Sequence, residues 1–503
     1  MTIRKIALVT AALALAAAGC GLPAAHAGAG RAAADCATTT ARSDVNGDGF
    51  DDIVAGDPFA DVRGVLGAGA VYVLLGSEEG PGRGDMMVLS APDGRDGDGF
   101  GWSVRTAHLD EDRCLDIVVG APYADSGGVT DSGAAYVFTG TAEGTPTGER
   151  VEAPGRRREK AAHFGWSLAA VDGRDGEPSI VAIGAPHEDA EGVKDSGAVY
   201  LRYRGSDGEV TLDRLTQGSE GVIGNSEPGD QFGWSLVFGR LGGDAARTDL
   251  VVGTPYEDVD GVGQQREAQG IPDVGGVTIV HDVVNARGRY TSVKHELGDS
   301  RKVMGNAGER FGHAVDYAEW QGEGYLAVSA PGVDVGGVSD AGQIRLYKRD
   351  ANGTFARIGD LRPGTGVLRS ARAAEGARLG WSLAFWNPRD SLVLAIGSPF
   401  ESARGNPTPE SGLVRQVTVA GGEGADQVAE RTGAEPNERF GWAVADLGGG
   451  DDVTPGNRLV VGIPDERSSN GGAVAVVAGA DIELITPVGG DEAVAADFGS
   501  SIS

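Results

Sequence analysis

The chain lacks the short motifs that mark common enzyme active sites. It contains no nucleophile elbow, Walker loop or dinucleotide-binding fingerprint, and its six histidines beyond the N-terminal segment show no metal-binding spacing. Outside that segment, no window keeps an apolar period of 3.6 residues, while 84 of the 503 residues are glycine. This composition argues against a solenoid built from helical repeats.

Positive charge is scarce as well. The chain has 43 Lys and Arg residues against 73 Asp and Glu residues, a net charge of −30 that is spread along its length. Such a field repels nucleic acid and anionic lipid and favours cations or basic partners, so we expect no nucleic-acid partner. The alternative is that the acidity serves solubility alone.

Cysteine is limited to three residues, and the first lies in a targeting segment. Arg4-Lys5, the apolar run 6–18 and the small-residue signal Ala25-His26-Ala27 predict a signal peptide over residues 1–27, followed by a linker over 28–40. The apolar run is too short for a permanent membrane span. A second route is a lipoprotein signal, in which Cys20 is lipidated and attaches the protein to the membrane. Both routes predict a secreted or cell-surface protein.

The other two cysteines are Cys36, just before the first repeat, and Cys114, in the acidic turn of the next one. Two cysteines in an exported protein favour a disulfide, which would hold the N-terminal segment in place. The alternative is two unpaired thiols.

What the chain does have is a pair of phrases repeated seven times. The Phe-Gly phrases begin at Phe100, Phe164, Phe232, Phe311, Leu379, Phe440 and Phe498. The Gly-x-Pro phrases, each after an apolar run, end at Pro58, Pro122, Pro186, Pro255, Pro331, Pro399 and Pro464. Successive Phe-Gly phrases lie 64, 68, 79, 68, 61 and 58 residues apart. A period of this length indicates one supersecondary unit that is repeated.

Residues 100–152 show what one unit contains. The pattern predicts a first strand over 100–104, with Phe100 and Trp102 on one face, and a second strand at 117–119 that is buried on both faces. A third strand is predicted over 133–138 and a fourth over 150–152. Four short antiparallel strands separated by Gly, Asp and Pro turns describe one blade of a β-propeller.

The two ends of the repeat region complement each other. The first Gly-x-Pro strand, entered from Asp44, has no Phe-Gly strand before it, and the last Phe-Gly phrase, at Phe498, has no Gly-x-Pro strand after it. Six intact repeats and one split repeat therefore predict an all-β, seven-bladed propeller of four-stranded blades over residues 41–503. Closing the ring through its terminal segments removes a sheet edge that would invite aggregation. We expect a monomer.

Seven copies of both phrases, in register and with acidic loops between them, resemble the FG-GAP repeats of the integrin α-subunit propeller and its bacterial relatives. The resemblance covers about residues 40–503. It implies that the propeller is a binding module and that the hairpin between the first two strands of a blade can bind calcium.

The first hairpin carries the clearest cation motif. Asp44, Asn46 and Asp48 supply side-chain oxygens at positions one, three and five, the carbonyl of Phe50 stands at position seven, and Asp52 closes the loop at position nine. Ca²⁺ takes six to eight oxygen ligands of this kind. We expect Ca²⁺ here; the alternative is an Asx-rich turn without metal.

The second hairpin keeps only part of this motif. Asp110, Asp112, Cys114 and Asp116 occupy positions three, five, seven and nine, but His108 stands at position one and an arginine replaces the glycine at position six. Histidine is a poor Ca²⁺ ligand and the arginine adds positive charge. Both outcomes, a second calcium site and none, stay open.

Further aspartates follow the Gly-x-Pro phrases, and strand order places them on the face opposite the hairpins. An acidic ligand rim around the channel would comprise Asp125, Asp131, Asp189, Asp195, Asp258, Asp334 and Asp340. The alternative is repeated turn chemistry, because Asp-Ser-Gly and Asp-Val-Gly are good loop formers. The tryptophans inside the Phe-Gly phrases are expected to pack between blades rather than to form a sugar platform.

Together, these features predict an exported, calcium-stabilised propeller that binds an extracellular protein or glycan. One competing prediction is a secreted hydrolase with its active site at the channel mouth. Another is a structural protein of the cell envelope.

Overall fold

The computed structural model describes residue 36 and most of residues 41–503. The gaps within that range are 111, 143–145, 147, 173–177, 206–207, 243–246, 260–269, 286, 297–304, 389, 403–408, 422–427, 434, 448–457, 467–470, 479–480 and 488–492. The described residues lie in one compact unit, 34–503. The predicted signal peptide, most of the linker and Cys20 lie outside them. Within the described part, no helix has the length and apolarity needed to cross a membrane.

Seven four-stranded antiparallel sheets form the blades of a β-propeller. From inner to outer strand they are: blade 1, β30 (Ser501–Ile502), β1 (Ile53–Asp57), β3 (Ala70–Leu74) and β4 (Met86–Leu89); blade 2, β5 (Ser103–Ala107), β6 (Asp116–Ala121), β7 (Ala134–Phe138) and β8 (Gly148–Val151); blade 3, β9 (Leu168–Val171), β10 (Ser179–Ala185), β11 (Ala198–Arg204) and β12 (Val210–Leu215); blade 4, β13 (Ser235–Gly239), β14 (Asp249–Thr254), β15 (Gly276–His281) and β16 (Thr291–Glu296); blade 5, β17 (Val315–Trp320), β18 (Glu323–Ala330), β19 (Gln343–Arg349) and β20 (Phe355–Leu361); blade 6, β21 (Ser382–Trp386), β22 (Ser391–Ser398), β23 (Leu413–Gly421) and β24 (Val428–Thr432); blade 7, β25 (Val444–Leu447), β26 (Arg458–Ile463), β27 (Ala473–Ala478) and β28 (Asp481–Ile485). A two-residue pair, β2 (Asp61–Val62) with β29 (Ala493–Val494), and three 3₁₀ turns, Gly155–Arg157, Ala190–Gly192 and Gly366–Leu368, complete the described elements.

The predicted closure of the ring by the two terminal segments is confirmed. In blade 1, Ile502 pairs with Ala55 and Ser501 with Gly56, so the last strand of the chain is the inner strand of the first blade. Asp57 adds a second contact. Its buried carboxylate accepts the N–H groups of Ala496 at 2.8 Å and Asp497 at 3.0 Å. The middle residue of the Gly-x-Pro phrase therefore fastens the C-terminal segment to blade 1.

The prediction for the inner strand was wrong by three residues. In blade 2 the strand begins at Ser103, not at Phe100. Gly101 has φ +98°, a left-handed conformation that turns the chain and cannot continue an extended strand. Phe100 is fully buried before this turn, with its ring centroid 5.4 Å from that of Tyr136 and 5.8 Å from that of Phe138. The second, third and fourth strands lie where the sequence predicted them.

The repeated phrases link each blade to the next. The N–H of Gly101 donates to the carbonyl of Gly120 in its own blade at 3.0 Å, and the hydroxyl of Ser103 donates to the carbonyl of Gly165 in blade 3 at 2.8 Å. A Cβ on Gly120 would stand 2.0 Å from that same Gly165 oxygen. Glycine is therefore required at position 120, where blades 2 and 3 meet. The same hydroxyl-to-carbonyl bond is donated by Ser167, Ser235, Ser382 and Ser501.

Candidate functional site

The propeller has two chemically different faces. In each intact blade the Phe-Gly phrase precedes the inner strand, and the hairpin to the second strand follows it. The Gly-x-Pro loops follow the second strand, which runs antiparallel to the first, so they share the end that carries the Phe-Gly phrases. We call this end the tryptophan face and the opposite end the hairpin face.

On the hairpin face, the first hairpin brings Asp44, Asn46 and Asp48 together, whereas Asp52 does not join Asp44 and Asp48 in a group whose ligand atoms lie within 4.8 Å of one another. The two carboxylate oxygens of Asp44 accept the N–H groups of Asp48 at 3.2 Å and Gly49 at 2.8 Å. The side-chain oxygen of Asn46 accepts the Asp48 N–H at 3.2 Å, and Asp48 accepts the N–H of Phe50 at 3.1 Å. These bonds bring positions one, three and five together, and each oxygen retains a second lone pair that a cation can use.

Asp52 has a different role from the other three side chains. It is fully buried, and its two oxygens accept the N–H groups of Val45 and Gly76, both at 2.8 Å, which ties the hairpin to the turn after β3. Burial, together with the charges of Asp44 and Asp48, raises the pKa of Asp52 to about 8. A cation in the loop would relieve this repulsion, so the residues present fit Ca²⁺.

The second hairpin shares the carboxylate of position nine. Asp116 accepts the N–H groups of Leu109 at 2.7 Å and Gly140 at 2.9 Å, and burial raises its pKa to about 7. The equivalent residue of blade 4, Asp249, accepts the N–H of Leu241 at 2.7 Å. The ninth position is therefore a structural clamp that does not depend on a metal.

The first position of the second hairpin is engaged elsewhere. The N–H of His108 donates to Asp172 of blade 3 at 2.8 Å, and its Nδ1 lies 3.3 Å from the same carboxylate. The hydrogen bond to Asp172 raises the pKa of His108. At position three, Asp110 accepts the N–H of Asp112 at 3.0 Å. Position one thus binds a neighbouring blade instead of completing a cation loop.

Cys114 of the same hairpin is joined to Cys36 in a disulfide with the two Cα atoms 4.8 Å apart. In the part of the chain that the structure describes, Cys36, Asp112 and Cys114 are the single group of three metal-ligating side chains whose ligand atoms lie within 4.8 Å of one another. Both sulfurs are used in the disulfide, so this group offers no thiolate. The predicted pairing of the two cysteines is present in the structure and fits an oxidising compartment.

The tryptophan face carries a ring of aromatic side chains around the channel. One residue comes from each of blades 2 to 7, at the position after the Phe-Gly phrase, and successive ring centroids are 4.8, 4.9, 5.9, 4.7 and 5.3 Å apart. This tryptophan ring consists of Trp102, Trp166, Trp234, His313, Trp381 and Trp442. All six side chains are half-buried, and blade 1 has Ser500 at the equivalent position. The tryptophans therefore do pack between blades, but they also remain partly open to solvent.

A second layer of aromatic residues surrounds this ring. The residue after each Gly-x-Pro phrase contacts a ring member in five blades, with centroid distances of 6.5, 5.4, 5.4, 5.3 and 5.0 Å for Phe59, Tyr123, His187, Tyr256 and Phe400. The Nδ1 atoms of His163 and His187 lie 2.9 Å apart. Burial lowers the pKa of both, that of His187 to about 4, so both are neutral near pH 7.

The aspartates of the predicted rim lie in the loops of the same face. In each pair the first carboxylate accepts the N–H of the second residue, at 3.1 Å for Asp125–Asp131 and 2.9 Å for Asp189–Asp195. The bonds from Asp273 to Asp258 and from Asp340 to Asp334 repeat this at 2.9 and 3.1 Å. The second aspartate of each pair has φ between +49° and +54°, a left-handed conformation that Asp tolerates. Turn formation thus accounts for the regular spacing of these residues.

Between blades 1 and 2 the loops border a cleft of about 750 Å³. Its lining includes Asp98, Asp125, Asp131, Arg95 and Tyr123. Burial raises the pKa of Asp98 to about 6. The cleft makes this side of the tryptophan face acidic.

Blades built on these phrases define the protein class: a seven-bladed β-propeller with FG-GAP repeats. Residues 37–74 and 84–138 match models described as the FG-GAP repeat. The chain is an FG-GAP repeat protein that resembles the integrin α propeller.

Two curated relatives illustrate the similarity. Over 226 residues the chain is 29% identical to phosphatidylinositol-glycan-specific phospholipase D of Bos taurus, covering 42% of this chain and 25% of that protein. Over 169 residues it is 36% identical to integrin alpha pat-2 of Caenorhabditis elegans, covering 30% of this chain and 13% of that protein. The matched region thus spans a quarter or less of these relatives.

A solved structure, a putative 6-phosphogluconolactonase from Bacteroides uniformis, is similar with a TM-score of 0.45 and 11% identity, covering 90% of this chain and 99% of that chain. At this level the similarity carries no argument about function.

Two functional features were not visible in the sequence. The tryptophan ring was assigned to packing alone, although the recurrence of an aromatic residue at one place in six phrases was the available signal. The contact of Asp57 with the C-terminal segment was missed. Its signal was Asp in the first Gly-x-Pro phrase, where the next two phrases have Ala121 and Ala185.

Proposed function

We propose that this propeller is a calcium-stabilised binding module that works outside the cytoplasm and recognises a protein or glycan ligand. The observation that carries this proposal is the tryptophan ring, which presents partly exposed indoles at the end of the channel where the Gly-x-Pro loops also emerge. Indole and phenol rings supply large contact areas at little entropic cost and dominate many protein interfaces.

In this proposal the two faces of the propeller have different roles. The first hairpin, on the hairpin face, holds Ca²⁺ through Asp44, Asn46, Asp48 and the carbonyl of Phe50, and the ion stabilises the blade without touching the ligand. The tryptophan face binds the ligand. The disulfide between Cys36 and Cys114 supports export, because such bonds persist in oxidising compartments.

An array of glycans and cell-surface proteins tests the proposal. The mature, oxidised protein is applied in millimolar Ca²⁺ and in chelator, together with Trp166→Ala and Trp381→Ala. We expect at least one ligand whose binding falls about tenfold or more in both variants, the size of an interfacial hot spot. Ile358→Ala, on the outer strand of blade 5, is the control and should bind normally.

Thermal unfolding of each variant separates lost binding from lost folding. A folded Trp166→Ala protein that binds every array ligand like the wild type would show that the tryptophan face is not the ligand face. Ligand binding that persists in chelator at low temperature would support the division of work, since calcium then acts on stability alone.

A further inference from the structure

Two arginines on the tryptophan face have no ion-pair partner among the described residues. Arg310 and Arg378 stand directly before the Phe-Gly phrases of blades 5 and 6, and both have a left-handed backbone, with φ +55° and +49°. No salt bridge joins either guanidinium to a described carboxylate, although the charge of Arg310 acts on the nearby carboxylate of Asp273. The corresponding residue of blade 7, Arg439, lies 3.5 Å from Glu410 and 3.2 Å from Asp465. Unpaired cations are unexpected in a protein with a net charge of −30.

Aromatic rings hold both guanidinium groups in place. The Cζ of Arg310 lies 5.2 Å from the ring centroid of Tyr256, and that of Arg378 lies 5.0 Å from Phe400 and 5.9 Å from Trp381. Such cation–π contacts fix the guanidinium but leave its N–H donors available. The Nε of Arg310 is buried and has no hydrogen-bond partner in the described part of the chain.

The charges of both arginines act on one member of the tryptophan ring, His313. His313 lies between Trp234 and Trp381, at centroid distances of 5.9 and 4.7 Å. Burial, and then the charges of Arg310 and Arg378, lower the pKa of His313 to about 3, so the imidazole is neutral. Its Nδ1 is also buried, without a hydrogen-bond partner among the residues that the structure describes. This part of the face therefore combines two fixed cations, unsatisfied polar atoms and aromatic walls.

We propose that Arg310 and Arg378 form a carboxylate-binding site beside His313. The inference rests on the proposed function and names the chemical class of its ligand: an acid whose apolar or sugar ring packs on the aromatic walls. A guanidinium matches a carboxylate with two parallel N–H donors, and charge-assisted bonds of this type are about twice as strong as neutral ones. The site selects against cationic ligands on this half of the face, whereas the cleft of blades 1 and 2 is acidic.

Matched small probes test the charge requirement. Benzoate and benzamide have the same shape, but only benzoate is anionic; tryptophan fluorescence and ligand-observed NMR of the mature protein report their binding. We expect benzoate to bind about tenfold or more tightly than benzamide. N-acetylphenylalanine against its amide, and glucuronate against glucose, then distinguish a peptide C-terminus from a uronic acid as the source of the carboxylate.

Single substitutions test the assignment to these residues. Arg310→Gln and Arg378→Gln should each weaken benzoate binding by about tenfold, and Arg310→Lys should retain part of it. Arg95→Gln, on the same face and with a side chain 67% exposed, is the charge-matched control and should bind benzoate within about twofold of the wild type. Equal binding of benzoate and benzamide, or an equal loss in Arg95→Gln, would overturn the proposal. Thermal unfolding verifies that each variant is folded.

Failure of this inference can be told apart from failure of the proposed function. Array ligands that need Trp166 and Trp381 but bind normally to Arg310→Gln and Arg378→Gln would refute the carboxylate site and leave the ligand face intact. The opposite result is specific benzoate binding together with array ligands that bind Trp166→Ala and Trp381→Ala like the wild type. It would refute the tryptophan face as the ligand face and leave the carboxylate site intact.

Discussion

Blade 1 and blade 2 have the same four strands and the same clamp at position nine of the hairpin, but only blade 2 is continuous in the chain. Blade 2 has Ala121 in its Gly-x-Pro phrase and forms its inner strand by a local hairpin. Blade 1 obtains its inner strand from the other end of the chain and holds it through Asp57, a second two-stranded pair and a backbone exchange in which Val54 and Ser503 each donate to the other's carbonyl at 3.1 and 2.9 Å.

This difference shows what replaces a covalent connection at the closing point of a ring. An intact blade forms its inner hairpin by closing a short loop, which costs little conformational entropy. Blade 1 must bring together residues 400 or more positions apart, and the contacts of the C-terminal segment offset that larger cost. The Gly-x-Pro phrase of blade 1 differs from that of blade 2 only at its middle residue, Asp57 in place of Ala121, and Asp57 is the residue that contacts the C-terminal segment. Four experiments test this difference between the two blades.

Removing residues 497–503 should have the largest effect. The deletion takes away β30 and Phe498, which is fully buried with its ring centroid 5.2 Å from that of Tyr72. Loss of one buried Phe side chain costs about 3–5 kcal/mol, a large part of the stability of an ordinary domain. We expect the truncated protein to melt far below the wild type or not to fold, as measured by circular dichroism.

Phe498→Ala and Phe100→Ala provide the matched pair for this deletion, one in each blade. Both should destabilise by about 3–5 kcal/mol, because both rings fill the same place between blades. A truncated protein that melts at the wild-type temperature would contradict the role of the terminal strand in closing the ring.

Asp57→Ala should have the next largest effect, although it converts the phrase to the Gly-Ala-Pro of blade 2. It removes the acceptor of the Ala496 and Asp497 N–H groups, two part-buried hydrogen bonds to a carboxylate that are worth about 1.5–3 kcal/mol each. Chemical denaturation measures the change in the free energy of unfolding. A variant as stable as the wild type would mean that β30 alone holds the C-terminal segment.

Calcium should distinguish the two hairpins. If the first loop binds Ca²⁺ in the folded state only, a concentration one hundred times Kd stabilises the protein by about 2.7 kcal/mol. Chelator should therefore lower the melting temperature of the wild type, and Asp48→Ala should remove most of that difference. Asp112→Ala, in the second hairpin, is the matched control and should leave it unchanged. Identical melting of the wild type in chelator and in Ca²⁺ would identify the first loop as a turn without metal.

Within any one pH unit, the pH dependence of blade 1 should be the smallest effect. Burial raises the pKa of Asp57 from 3.8 to about 6, and the charge of Asp497 also raises it. Between these values the folded state holds a proton that the unfolded state has lost, so stability falls as pH rises from about 4 to 6. The contribution of one group is at most about 1.4 kcal/mol per pH unit. Asp57→Asn, measured in chelator, should flatten the dependence of the unfolding free energy on pH between about 4 and 6. If its slope is unchanged, the pH dependence arises from other buried acids.

The sequence predicted the number of blades, their strand order and the split repeat, because phrase spacing and end-to-end complementarity are properties of the chain itself. It did not predict that Gly101 turns the chain: a period of two placed Phe100 and Trp102 on one face, whereas the left-handed glycine sends one ring into the core and the other to the channel. The pairing of Asp57 with residues 496 and 497 depends on bringing both ends of the chain together. The Asp in the first Gly-x-Pro phrase marked the position as unusual, but no local pattern identified its partners.

The disulfide between Cys36 and Cys114 also has a mechanical consequence. A pull on the N-terminal segment passes at Cys36 through the sulfur bond into the hairpin of blade 2, whose strands are continuous in the chain. Residues 41–52 and the first strand of blade 1 lie behind this bond and carry no load. The force therefore bypasses the split blade and acts on the neighbouring blade 2 until the disulfide is reduced.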